Sequence, residues 1–312
     1  MLVEMQDLNR RLSLKYFGFL LCLVGMIVVF TVGGPASALD RVGERGFVMW
    51  QLPSQVGSIG MSYVIRTDKG RLAVVDGGLK DDAEYLRGFI AALGNNVDIW
   101  IITHPHDDHA GALNEIFKDG LNGLRIKSIY MSSLDREWYK DVEKDCTAFS
   151  DEFYANVKKS GIEVVECVPG MTFHLDNAAF RILGVKNPEF TMNAYNNSSV
   201  TFKVEDSRKS VLFLGDLGVE GGEKLLHGQY AKYLKSDYVQ MAHHGQNGVD
   251  EDFYKAVQPK YCLWPTPLWL WNDDIGKGVG SGPWKTLVVR GWIEKLHVKR
   301  NYVACMGLVK IE

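Results

Sequence analysis

The chain has 312 residues, 46% hydrophobic and 23% charged, with 35 basic against 38 acidic side chains and a net charge of −3. This is the composition of an ordinary globular protein with one large or two small domains, without internal repeat or low-complexity tract. It lacks the basic footprint of a general nucleic-acid binder, which counts against such a role while leaving a polymeric DNA substrate open.

The N-terminus reads as a leader. Arg10, Arg11 and Lys15 precede an apolar run over 17–32, then Gly33-Gly34-Pro35 and Ala36-Ser37-Ala38. A basic segment, an apolar segment and an Ala-x-Ala site make a secretory signal peptide over 1–38, with cleavage after Ala38. The alternative is an uncleaved anchor helix, for which sixteen apolar residues are short. Cys22 follows Leu21 rather than a small residue, which argues against a lipoprotein site. The expected location is extracellular or in the cell envelope, with no stable membrane span once the leader is removed. A linker over 39–46 and a single domain over 47–312 follow.

The predicted elements then come in quick succession. Strands are expected at 47–52, 61–67 and 71–75, separated by turn residues. Helical spacing of Tyr85, Leu86, Phe89, Ile90 and Leu93 predicts a helix over 82–93. A buried strand over 97–102 precedes a polar cluster and a helix through Leu113, Ile116 and Phe117. Next come a strand at 126–131, one long helix over 136–159, and strands at 163–167, 172–175, 180–185, 200–204 and 210–214. The remainder predicts a helix at 220–234, a strand at 238–242, a helix at 251–257, a strand at 261–264, a helix at 284–296 and a last strand over 302–311. Strands and helices form two similar successions, each ending in metal-type residues. Two sheets packed face to face with helices outside, an α/β four-layer αββα sandwich, satisfy this order. Cys146, Cys167, Cys262 and Cys305 are widely spaced, and Cys167, Cys262 and Cys305, in apolar strand-like runs, are expected as buried thiols rather than bridges.

The polar cluster carries the chemistry. His104, His106, Asp108 and His109 lie within six residues at the end of a core strand. Imidazole and carboxylate suit zinc. In an extended segment His104 and His106 point the same way, while Asp108 and His109 fall where the chain turns into a helix. Asp216 ends the strand over 210–214, well placed to bridge two ions. His243-His244-Gly245 ends the strand over 238–242. Adjacent residues of an extended segment point oppositely, so one histidine is expected as a ligand, His243 in preference, and the other behind it or toward substrate.

Asp76-Gly77-Gly78, His104-x-His106-x-Asp108-His109, Gly215-Asp216 and His243-His244-Gly245, in this order, resemble the metallo-β-lactamase-fold hydrolase superfamily. The likeness runs from about residue 47 to the C-terminus. It implies a dinuclear site with His104 and His106 on one metal, Asp108, His109 and His243 on the other, and Asp216 between them. Asp76 would steady the ligands from behind. Many members carry a further histidine on the first metal. Only His174 lies in that interval, too early in the chain, and Asn196-Asn197-Ser198-Ser199-Val200 stands in its place. Asn-x-x-Ser-Val followed by His-His-Gly resembles the branch of the hydrolase domain of ComEC-type DNA-uptake proteins. Extracellular phosphorylcholine esterases are similar in general design. Asn196 is then a weak ligand or a substrate contact, or else part of a turn. β-Lactamase activity is not expected.

Trp264, Trp269 and Trp271 sit on a Pro- and Gly-rich loop beside Asp273 and Asp274. Trp269 and Trp271 are candidates for a substrate wall that holds a quaternary ammonium or a base; packing of the last helix is the other reading. The function expected is a secreted hydrolase with two Zn2+ ions (Mn2+ or Fe2+ as alternatives). It would use a metal-bridging hydroxide on a small-molecule or cell-envelope phosphodiester, with Asp108 orienting the hydroxide and His244 moving the proton. A carboxylic ester or lactone hydrolase, and a non-catalytic metal-dependent ligand-binding envelope protein, are the alternatives.

Overall fold

The computed structural model describes residues 46–312. The expected leader over 1–38, and all but the last residue of the linker expected over 39–46, lie outside the described residues. Among the described residues no helix is long and apolar enough to cross a membrane.

In chain order the strands are β1 (Val48–Gln51), β2 (Ser62–Arg66), β3 (Leu72–Asp76), β4 (Asn96–Ile101), β5 (Arg125–Met131), β6 (Glu163–Glu166) and β7 (Thr172–Leu175). They continue with β8 (Ala178–Gly184), β9 (Thr201–Glu205), β10 (Ser210–Phe213), β11 (Tyr238–Gln240), β12 (Tyr261–Trp264), β13 (Arg300–Val303) and β14 (Val309–Ile311). Two seven-stranded sheets result, ordered β14-β1-β2-β3-β4-β5-β6 and β13-β12-β11-β10-β9-β8-β7. Each is antiparallel on one side and parallel on the other: β3, β4, β5 and β6 run parallel in the first, β10, β11, β12 and β13 in the second.

Alternation along the strands sorts side chains into layers. In β3, Ala73 and Val75 face the opposite sheet while Leu72 and Val74 face the helices. The inner layer joins Tyr63, Ile65 and Ile101 of one sheet to Phe180, Phe202, Val211 and Phe213 of the other. Phe202 stacks on Phe213 at 4.8 Å, and Tyr63 meets Phe213 edge-on at 5.1 Å. Outside the first sheet lie helices Ala83–Ala92, Asp107–Asp119 and Thr147–Ser160; outside the second lie Val219–Leu226, Glu251–Val257 and Thr286–Lys295. The αββα sandwich expected from the sequence is the fold observed.

Three expectations are corrected. The long helix over 136–159 is two helices, Arg136–Val142 and Thr147–Ser160, because Glu143 leaves helical conformation at φ −140° and ψ 69° and sends its carboxylate elsewhere. The helix over 220–234 ends at Leu226, before Gly228. The last strand over 302–311 is two strands in different sheets, separated by the turn Ala304–Met306 and Gly307 at φ 112°. All four described cysteines are free thiols, Cys167 and Cys262 buried, Cys146 and Cys305 partly so.

The helix carrying the polar cluster packs tightly on the turn after β3. A Cβ on Gly111 would stand 2.8 Å from the backbone nitrogen of Lys80 and 3.1 Å from the Gly78 carbonyl oxygen. Gly111→Ala is therefore expected to destabilise the protein by about 1–3 kcal/mol through overpacking, measured by chemical denaturation.

Candidate metal centre

The carboxyl ends of the parallel strands of both sheets carry the polar residues, the usual place for a site in such sheets. After β4 the chain stays extended through His106, at φ −79° and ψ 155°, before the helix begins at Asp107. His104 Nε2 and His106 Nδ1 thus lie 3.0 Å apart. The first helical turn presents Asp108 and His109.

After β10, Gly215 turns at φ 55° and brings in Asp216. The Gln240 side chain of β11 accepts from Leu214 N at 2.8 Å and donates to the Gly215 carbonyl at 3.0 Å. Ser199 Oγ accepts from Asp216 N at 3.0 Å.

His243 and His244 are not extended. Both are left-handed, at φ 51° and 56°, a conformation that costs non-glycine residues about 1–3 kcal/mol each. The turn brings both imidazoles toward Asp216, where an extended segment would have separated them. His244, not the expected His243, enters the tight cluster. Its Nε2 lies 2.8 Å from Asp108 Oδ2 and 3.4 Å from Asp216 Oδ2. His109 Nε2 lies 3.1 Å from Asp216 Oδ1 and 3.7 Å from Asp108 Oδ2. His243 Nε2 is farther out, 3.8 Å from Asp216 Oδ2 and 3.4 Å from Asn196 Nδ2.

The donor set fits a cation. Asp108, His109, Asp216 and His244 are buried, with one ligand atom from each lying within 4.8 Å of the others. Despite the short separations, His109 Nε2, Asp216 Oδ1 and His244 Nε2 have no partner in hydrogen-bond geometry. Buried polar atoms are rarely left so. They lie close enough to one another to share one ion. His104 and His106 offer two more nitrogens beside this cluster. His106 also groups with Glu143 and Cys146, whose ligand atoms lie within 4.8 Å of one another. Asn196 Oδ1, buried and without a partner, is the remaining oxygen nearby, its amide nitrogen held by Asn193 Oδ1 at 2.7 Å.

Each ligand ring is fixed through its other nitrogen, the support that sets tautomer and orientation at metal sites. His109 Nδ1 lies 2.7 Å from Asp76 Oδ2, His106 Nε2 lies 2.9 Å from Glu143 Oε2, and His244 Nδ1 lies 2.9 Å from the Pro265 carbonyl. His104 Nδ1 has Thr103 Oγ1 at 3.1 Å and Ser199 Oγ at 3.4 Å. Asp76 also accepts from Thr103 N and Thr103 Oγ1, each at 2.7 Å, so it stands behind the motif as expected. The sequence reading missed Glu143, Thr103, Ser199 and Pro265. Glu143 carried no signal beyond a charged run.

Protonation follows the crowding. Burial, with the charges of His109 and His106, pushes His104 well below its ordinary value. Burial also opposes charge on His106 and His244. On His106 the Cys146 and Glu143 side chains outweigh it, and on His244 the Asp216 and Asp108 carboxylates do, so that each rises to about 10. Burial opposes charge on Asp108 and Asp216 as well, but the surrounding histidines hold both carboxylates below the usual range.

The tryptophan loop serves packing. Trp271 meets Trp264 edge-on at 5.1 Å, and Arg290 lies 4.1 Å from its ring centre. Trp269 pairs with Trp284 at 4.8 Å, and its Nε1 donates to the Gly57 carbonyl at 3.2 Å. Asp274 Oδ1 accepts from the backbone of Gly276, Lys277 and Gly278, and Asp273 Oδ1 from Trp284 N, so neither waits for a cation.

Comparison with known proteins gives the family. Residues 56–250 match the family model of the metallo-beta-lactamase superfamily, and the chain belongs to that superfamily. YhfI from Bacillus subtilis, a metallo-beta-lactamase fold protein, superposes with a TM-score of 0.54 at 12% identity, covering 86% of this chain and 100% of YhfI. The E377D mutant of the β-hydroxylase CmlA superposes with a TM-score of 0.50 at 13% identity over 85% of this chain, which spans 54% of that protein. At such identities the likeness is one of fold alone. Among proteins of curated function none matches the sequence significantly.

Two outcomes are expected. His244→Ala removes the tighter ion, whereas His243→Ala keeps it, as read by metal content after dialysis. Ion uptake releases protons, because His106 and His244 are protonated at neutral pH without it. Affinity therefore rises from pH 6 to pH 8, checked by calorimetry in buffers of different ionisation enthalpy.

Proposed function

We propose that the chain is an exported metal-dependent hydrolase that acts on phosphodiesters with two ions, zinc in preference to Mn2+ or Fe2+. The carrying observation is the buried, unpartnered donor set of Asp108, His109, Asp216 and His244, with His104 and His106 beside it. The superfamily, mostly metal-dependent hydrolases, supports the reaction class. The ComEC-like Asn-x-x-Ser-Val and His-His-Gly segments support phosphate over lactam.

One ion would be held by Asp108, His109, His244 and Asp216, the other by His104, His106 and Asp216 with Asn196 at its edge. Such ions, when bound, supply Lewis-acid polarisation of phosphoryl oxygens and acidify water. The chain's own residues do the rest. His106 and His243 are the histidines of the centre with solvent access, their side chains 17% and 19% exposed, so substrate approaches between them. Burial holds His243 below its ordinary value, leaving a neutral imidazole whose N–H can donate to a substrate oxygen. This moves the expected proton-handling role from His244, which is enclosed by carboxylates, to His243. Asp108 and Asp216 stay ionised and keep the negative charge of the centre fixed.

A chromogenic bis-aryl phosphodiester tests the reading. Zinc-loaded protein is expected to cleave it and chelator to stop cleavage, while Asp216→Ala falls to background with the fold retained. A metal-replete protein that spares phosphodiesters but cleaves lactones or esters would move the assignment to the ester class.

A further inference from the structure

Glu143 is the one carboxylate that touches both flanks of the weaker half of the centre. Its Oε2 lies 2.9 Å from His106 Nε2, and its Oε1 accepts from Tyr195 N at 2.7 Å. Tyr195 in turn stacks on the His106 ring at 5.0 Å and 24°, and its hydroxyl lies 2.9 Å from Ser150 Oγ. The next residue is Asn196, whose amide oxygen is buried and unpartnered. The residue reaches this place because the helical run breaks there, at φ −140°. A carboxylate can only accept, so when His106 gives up a proton to bind an ion, the hydrogen it keeps is drawn to Nε2 and Nδ1, on the His104 side, is the nitrogen freed. The four-ligand cluster does not depend on it, since its rings are anchored by Asp76 and Pro265.

We infer that Glu143 is the positioning residue of the His104–His106 half-site, setting the His106 ring and the Asn196 segment together, so that the two halves load unequally. The inference rests on the two-ion reading above. It makes the second ion conditional on the break between helices Arg136–Val142 and Thr147–Ser160, and leaves the first independent of it.

Two variants separate the roles. In Glu143→Gln the amide oxygen still accepts from Tyr195 N, but the NH2 faces His106 Nε2 and drives the imidazole hydrogen to Nδ1. In Glu143→Ala both contacts go. Chelated full-length protein is titrated with Zn2+ against a competing indicator, and Tyr195 amide exchange is followed by hydrogen exchange. Both variants are expected to bind the first equivalent like wild type and the second about 10–100-fold more weakly. Tyr195 exchange should quicken in Glu143→Ala and not in Glu143→Gln. A Glu143→Gln protein that binds both equivalents as wild type does, or loses both equally, overturns the inference. If wild type takes up one equivalent only, the two-ion reading falls and the unequal-loading inference falls with it, whatever Tyr195 exchange shows. If wild type takes up two equivalents, unchanged Tyr195 exchange in Glu143→Ala overturns the inference.

Discussion

Two carboxylates, Asp108 and Asp216, are buried side by side at the carboxyl ends of two sheets, and the rest of the centre answers their charge. Burying an ionised carboxylate without compensation is prohibitively costly. Here the compensation is a ring of imidazoles, with His109 and His244 each within 4 Å of both aspartates. Protons on those imidazoles can balance the aspartates. The bent geometry of the contacts, which leaves His109 Nε2 and His244 Nε2 without hydrogen bonds, is better met by a cation.

The fold supplies rigidity where that charge is held. The Asp108–His109 turn is clamped by Gly111 against the backbone after β3, and Asp76 ties Thr103 and His109 to one carboxylate. From the other sheet, Gln240 fixes the approach to Asp216 and the left-handed turn at His243 and His244 stores strain. Strain kept at such a place marks a position whose geometry matters more than its local stability.

Much of this was legible in the chain. The order of strands and helices, the layers, and the placing of His104, His106, Asp108, His109 and Asp216 at strand ends follow from the sequence pattern. The choice between His243 and His244 did not, because it depends on a positive-φ turn that period-2 reasoning reverses. Glu143 was hidden in a helical pattern that continues across it; its contacts with His106 and Tyr195 N are with residues far along the chain. The contacts of Trp271 with Arg290 and Trp264 join residues far apart in the chain, which loop placement alone does not reveal. The split of the last strand also depends on partners, since 300–303 and 309–311 find different sheets.

The central claim is that Asp108, His109, Asp216 and His244 bind an ion ahead of any other group in the domain. The direct measurement is an anomalous difference map from crystals grown with one equivalent of Zn2+ per chain. A single peak among these four side chains is the predicted result. A peak instead at the other metal-capable group of described residues, His106, Glu143 and Cys146, or no peak at saturating zinc, would contradict it.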